Sequence, residues 1–298
     1  MKRLSNLFLA VALAAMLAVA HAPAALASTP PADPVDTGAI LDFGMGARAL
    51  AMGGAFVAVA DDGTAVYYNP AGLAFVKGHN VTSMYSTAYG AGNYLSAGYA
   101  QKNIGVGLLG LMATVGRTDE FGNPTTDFSY LDGAVLGGYA YSFGSMSVGG
   151  ALKLYGQSLP DNPGFGVTGD VGVMVNLPNA AGLKLGAVGR NLLGTVKYKS
   201  GFTDNFDRKI VVGASVNPIS KLIVAADFDI TAMAGHFGAE YQIHPMVALR
   251  AGGVVGKSGE SGMTAGVGFA INGFHVDYAY QMHATLPDAH RVAVGFSF

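Results

Sequence analysis

The stretch MTAGVGFAINGFHVDYAYQM (residues 263–282) decides the fold. Met263, Ala265, Val267, Phe269 and Ile271 take every second position, with Thr264, Gly266, Gly268 and Asn272 between them. After the short connection Asn272-Gly273 the pattern resumes: Phe274, Val276, Tyr278, Tyr280 and Met282 stand against His275, Asp277 and Gln281. A period of two is the period of a strand, whose successive side chains leave opposite faces. The end of the chain repeats it, with Val292, Val294, Phe296 and Phe298 opposed by Arg291, Gly295 and Ser297. One face greasy throughout and the other polar or bare reads as lipid outside and lumen inside.

Working outward, the same alternation predicts about fourteen strands: 79–88, 92–101, 103–113, 128–141, 145–157, 165–177, 182–192, 207–216, 221–231, 236–243, 246–255, 262–271, 274–283 and 290–298. Connections after even strands are short, such as Lys102, Phe143-Gly144 and His244-Pro245. The long ones, 114–127, 158–164 and 193–206, all follow odd strands. Outer-membrane barrels have short periplasmic turns and longer external loops, so this asymmetry orients the chain with both termini in the periplasm. Composition agrees. With 51% hydrophobic residues, 12% charged and a mean hydropathy of +0.37, the chain is too apolar for an ordinary soluble domain. Only one continuous apolar run exists, and only helices and closed barrels satisfy the backbone in lipid. The expected class is an all-β, antiparallel transmembrane barrel, residues 77–298.

That one run, Leu7 to Ala20, follows Lys2-Arg3 and precedes Ala25-Leu26-Ala27, so residues 1–27 read as a signal peptide cleaved before Ser28. Residues 28–43, with Pro30, Pro31 and Pro34, read as a loose periplasmic tail. The next segment, 44–76, is different in kind. It packs Gly44, Gly46, Ala47, Ala49, Ala51, Gly53, Gly54 and Ala55, which let backbone lie close to backbone. It turns at Asp61-Asp62-Gly63, where an acid supplies an acceptor and glycine is free to take positive φ. Asn69-Pro70 reads as an N-cap with proline in the first helical position. This is a compact plug rather than a regular element.

The ordered series Gly46-Ala47-Arg48-Ala49, Met52-Gly53-Gly54, Ala60-Asp61-Asp62 and Asn69-Pro70-Ala71-Gly72-Leu73 resembles the N-terminal signature of the PorV/PorQ family of bacterial outer-membrane proteins. That family is similar to the FadL-type channels for long-chain fatty acids. The resemblance implies a fourteen-stranded barrel with an N-terminal hatch in its lumen. It also implies one of two functions: a channel for hydrophobic small molecules, or a docking component of type IX secretion without small-molecule transport. For the channel, Leu50, Met52, Phe56, Tyr67, Tyr68 and Phe75 from the plug are the candidate ligand-binding residues, with Leu109, Leu111, Leu136 and Met174 from the wall. For docking, the long loops are the partner surfaces.

Strand parity collects twelve charged residues on the lumen face: Asp132, Lys153, Asp170, Lys184, Arg190, Lys209, Asp227, Asp229, Glu240, Arg250, Asp277 and Arg291. They are balanced in sign. A selective ion pore would line its wall with one sign, whereas balanced charges pair and tie wall to wall and wall to plug. Arg48 is the plug's natural partner for a wall carboxylate. Phe296 and Phe298 resemble the C-terminal signal read by the barrel-insertion machinery, and Tyr85, Tyr89, Tyr99, Tyr139, Tyr141, Tyr198, Tyr278 and Tyr280 suit interfacial girdles.

Other chemistries find no support. Zero cysteine excludes disulfides, thiol catalysis and lipoprotein anchoring. A net charge of −2 predicts no nucleic-acid partner. His275 and His283 stand eight residues apart, about 27 Å along a strand, too far to share a metal. Asp42, Asp61 and Asp62 lack calcium-loop spacing. Neither an enzyme nor a cofactor is expected. The expected partners are outer-membrane lipid, the insertion machinery, and either a hydrophobic ligand or secretion proteins.

Overall fold

The computed structural model describes residues 37–87, 92–177, 181–256, 261–283 and 287–298. Its strands are β1 His79–Ser86, β2 Asn93–Gln101, β3 Ile104–Val115, β4 Phe128–Phe143, β5 Met146–Ser158, β6 Gly164–Leu177, β7 Leu183–Arg190, β8 Thr195–Tyr198, β9 Thr203–Asn205 and β10 Lys209–Ile219. They continue with β11 Leu222–Asp229, β12 Ala234–His244, β13 Val247–Gly256, β14 Gly262–Ile271, β15 Phe274–His283 and β16 Ala289–Ser297. Each pairs antiparallel with its neighbours; β1 meets β16 and β5 meets β6, which closes the ring. Two of the sixteen, β8 and β9, form a hairpin laid onto the start of β6. The remaining fourteen make a closed antiparallel barrel, as the alternation predicts.

The faces are inverted relative to a soluble protein. Leu152 is 65% exposed on the outside while its neighbour Lys153 is 1% exposed inside. Charged residues are almost never fully buried unless paired, and a ring of exposed Leu, Val, Ile and Phe belongs in hydrocarbon. Tyr85, Tyr139, Tyr141 and Tyr278 lie on this exterior. Tyr198 does not join them: its hydroxyl turns inward to Gln157 (3.0 Å) and Thr37 (3.2 Å). Tyr89 lies outside the described residues.

Several strand ends differ from the alternation by two or three residues, β10 for instance continuing to Ile219 through Asn217 and Pro218, and one difference has a clear cause. The seventh strand is expected to run to Leu192 but ends at Arg190, because Asn191 adopts φ 54°, a left-handed conformation that leaves the sheet. Its backbone N–H donates to Asp170 and its side-chain amide to the Asp207 carbonyl. These bonds reward the kink. The loop beyond it, read as irregular, folds into the β8–β9 hairpin.

Residues 37–76 precede β1. They contain a 3-10 turn Ala39–Asp42, helix α1 Ala47–Ala51, helix α2 Ala65–Tyr68 and a 3-10 helix Pro70–Phe75. Asn69 caps the last, its Oδ1 accepting from the Ala71 N–H with Pro70 at the start. Asp62 makes the expected turn, accepting from the Thr64 N–H and hydroxyl. Gly63 does not take positive φ. It is glycine for space, since an added Cβ would lie 3.3 Å from the carbonyls of Asn80 and Gly98.

Candidate functional site: the lumen and its N-terminal segment

The N-terminal segment contacts wall residues around the whole ring. Thr264 donates to the Ala51 carbonyl, Ser215 to Ala58 and Ser147 to Ala71, while Asn69 donates to Val57 and Val173. Asp227 accepts from the N–H groups of Phe56 (2.7 Å) and Val57 (2.8 Å). Isolated backbone in a confined space must find such partners, and inward-facing wall side chains supply them.

Close approach requires bare wall. An added Cβ at Gly252 would lie 2.4 Å from the Gly53 nitrogen, at Gly238 2.3 Å from the Met52 carbonyl, and at Gly149 2.5 Å from the Ala71 nitrogen. Gly53 itself takes φ +66°, and its own Cβ would strike Gly253 and Phe237 backbone at 2.5–2.6 Å. These wall glycines make room for the segment, a part that motif reading passes over. Their signal was available: glycine recurring at lumen parity in a chain with 44 glycines.

The segment runs from one end of the barrel to the other. At the long-loop end Thr37 donates to the Asp204 carboxylate, and Asp42 pairs with Lys209 at 2.9 Å. At the short-turn end the Asn103 N–H donates to the Leu73 carbonyl, and Gly78 leads into β1. Residues 37–43 are therefore packed at the loop-bearing mouth, with Ile40 and Leu41 buried, and do not form the loose periplasmic tail expected of 28–43. Residues before 37 lie outside the described region.

At least six of the twelve lumen charges form ion pairs. Arg48 forms a fork to Glu240 (Nε–Oε2 2.8 Å, Nη2–Oε1 3.0 Å) and reaches Asp61 (2.7 Å) and Asp62 (3.0 Å). Glu240 also meets Arg250 at 2.6 Å, and Arg250 meets Asp277 at 2.6 Å. The result is one network from segment to wall across β12, β13 and β15. Lys153 and Asp170 form a fully buried pair at 2.8 Å, completed by Asn191. Arg190 donates to the Tyr68 carbonyl and lies over the rings of Tyr67 and Tyr68. Asp132 and Asp229 are buried and held by hydrogen bonds instead, from Tyr130 and from the N–H groups of Thr231 and Ala232. Lys184 is half-buried near the short turns, and Arg291 is buried beside the cavity described next.

Above the segment, at the loop-bearing mouth, lies a cavity of about 270 Å³. Its apolar lining includes Phe43, Leu50, Val57, Tyr67, Tyr68 and Val211; its polar lining includes Lys209, Asp227, His236 and Arg291. Of the six segment residues expected to bind ligand, Leu50, Tyr67 and Tyr68 reach this cavity. Met52 and Phe56 are fully buried in packing, and Phe75 packs against the core at the opposite end. Leu109, Leu136 and Met174 face inward but are also consumed by packing. A second cavity, about 340 Å³, opens at the short-turn end around Arg48, Asp61, Asp62 and His275. Among the described residues no group of three or more potential ligands could hold a metal ion.

In the loop 116–127, Asp119 accepts from the N–H groups of Phe121 and Asn123 and from the Asn123 amide. The Asn123 contacts hold its carboxyl below the usual range, and Phe121 stands 81% exposed at the tip.

No protein-family model matches this sequence, and no curated protein matches it. Solved structures do. The P. putida toluene transporter TodX aligns with a TM-score of 0.62 and 15% identity, over 86% of this chain and 99% of that one. The Ralstonia pickettii toluene transporter TbuX gives 0.59 and 14%, over 86% and 98%. A Pseudomonas aeruginosa FadL homologue gives 0.57 and 9%, over 83% and 96%. At these identities the likeness is one of fold: this chain has the barrel architecture of hydrocarbon channels.

Proposed function

We propose that this chain is an outer-membrane channel for small hydrophobic molecules, exported by a cleaved signal peptide and held closed by residues 44–76 acting as a plug. One observation carries the reading. A segment is hydrogen-bonded to the inner wall of a barrel whose architecture matches toluene transporters and a FadL homologue. A barrel serving only as an anchor has no need of a lumen closed by a segment tied to its wall through an ion network. The mouth cavity, with Leu50, Tyr67, Tyr68 and Val211 on its apolar side, is the proposed first binding place for the solute. Kinship with PorV/PorQ belongs to the same proposal and rests on the motif series in 46–73. The insertion machinery would read Phe296 and Phe298.

Native mass spectrometry of the mature chain, taken gently from its own outer membrane, tests this reading. A reproducible added mass in the fatty-acid or hydrocarbon range is expected, lost when Leu50 and Val211 are replaced by asparagine. A bare barrel carrying a stoichiometric protein partner would overturn it.

A further inference from the structure

The two ends of the barrel differ in charge. Among the described residues, the connections at the long-loop end hold seven acidic side chains against four basic ones. At the short-turn end the connections hold Lys77, Lys102 and Lys221 and no acid, with Lys184 one position inside β7. Lys77, Lys102 and Lys221 are exposed and make no ion pair among the described residues. Asp61 and Asp62, at the cavity of this end, are taken by Arg48.

A second observation fixes the depth of these lysines. The strand ends at this rim carry exposed aromatics, among them Tyr141, Phe143, Phe274 and Phe296. Exposed aromatic rings mark the boundary between hydrocarbon and headgroups. The lysines sit in the turns just beyond that girdle, where a four-carbon stem lies along apolar surface and an ammonium reaches the headgroup plane. Third, they are spread around the ring. Lys77 and Lys102 flank β1 and β2, while Lys184 lies in β7 and Lys221 just before β11 on the opposite side. A single docked acidic protein would need a patch on one side. A lipid annulus meets the whole circumference.

We infer that the short-turn rim binds the phosphate headgroups of anionic phospholipids in the leaflet at that end. The opposite end, net acidic, gains nothing from such lipids, so the charge pattern fixes the direction in which the barrel sits. This inference requires only a barrel in a bilayer; it would survive if the chain moved no hydrophobic solute.

The test is native mass spectrometry of the full mature chain, exchanged into detergent with an equimolar mixture of phosphatidylglycerol and phosphatidylethanolamine. A lysine near an anionic surface is worth about a fivefold preference. Phosphatidylglycerol adducts should therefore be enriched to that order in the wild type and fall to parity in Lys77→Gln/Lys102→Gln/Lys221→Gln. Lys197→Gln/Lys199→Gln, at the other end, should leave the enrichment unchanged. Should the triple variant fail to fold, Lys102→Gln alone should lower it in part. The inference fails if the wild type shows no enrichment, if enrichment survives the triple variant, or if it is lost in the long-loop variant. It also fails if the rim retains a stoichiometric acidic protein in place of lipid.

Discussion

Replacing Arg48 with methionine keeps the stem and removes the guanidinium, which contacts three carboxylates from 2.7 to 3.0 Å. Stranding one partner of a buried pair costs roughly 3–5 kcal/mol. Here the loss is smaller, because Glu240 keeps Arg250 at 2.6 Å and because Asp61 and Asp62 are 32% and 24% exposed and regain water. The contact of Arg48 with the Phe56 ring, 5.2 Å from the centroid, is lost as well. A weakening of segment docking by about 2–3 kcal/mol follows, or a rise of roughly thirty- to a hundred-and-sixtyfold in the undocked population. Planar-bilayer recording reads this as more frequent openings. Glu240→Gln added to Arg48→Met should cost less than it does alone, with a coupling on the order of 1–2 kcal/mol. Unchanged opening in a barrel that still shifts on heating in a gel, or strict additivity of the two substitutions, would refute the role of this network.

Three further outcomes are expected. Gly252→Val should expel or unfold the segment at Met52-Gly53, making residues 44–75 sensitive to protease while the barrel persists, since the new Cβ alone would lie 2.4 Å from backbone. Asn69→Ala removes a cap and two donated bonds at a fully buried site, so the thermal midpoint should fall by the equivalent of roughly 2–3 kcal/mol. Lys153→Met leaves Asp170 buried beside Asn191 and should cost roughly 3–5 kcal/mol in denaturant titration, most of it recovered in Lys153→Met/Asp170→Asn.

The barrel was legible because a strand with lipid on one side and lumen on the other carries its fold in its parity. Residues 263–282 state it, and the register of β14 against β15 follows their alternation. The turn at Asp62 and the cap at Asn69 were legible for the same reason: each is satisfied within a few residues. What depends on distant pairing was not. Asn191 leaves its strand because Asp170 and Asp207 receive it, and nothing local says so. Met52 and Phe56 looked like pocket walls because sequence gives their character but not their direction. Parity did gather Glu240, Arg250 and Asp277 on one face, and Arg48 does meet a wall carboxylate as expected, but which one it meets depends on how the segment threads the ring.

That threading bears on how the molecule is made. The segment's upstream end sits by the β8–β9 hairpin at one mouth, and its downstream end continues into β1 at the other. The seam between β1 and β16 joins the first and last strands of the ring. An empty cylinder completed first would have to be re-entered from below by everything ahead of β1, past glycine walls with no clearance for a side chain. A sheet that curls round the segment, as a cooper sets staves about a former, and shuts its seam last avoids that re-entry.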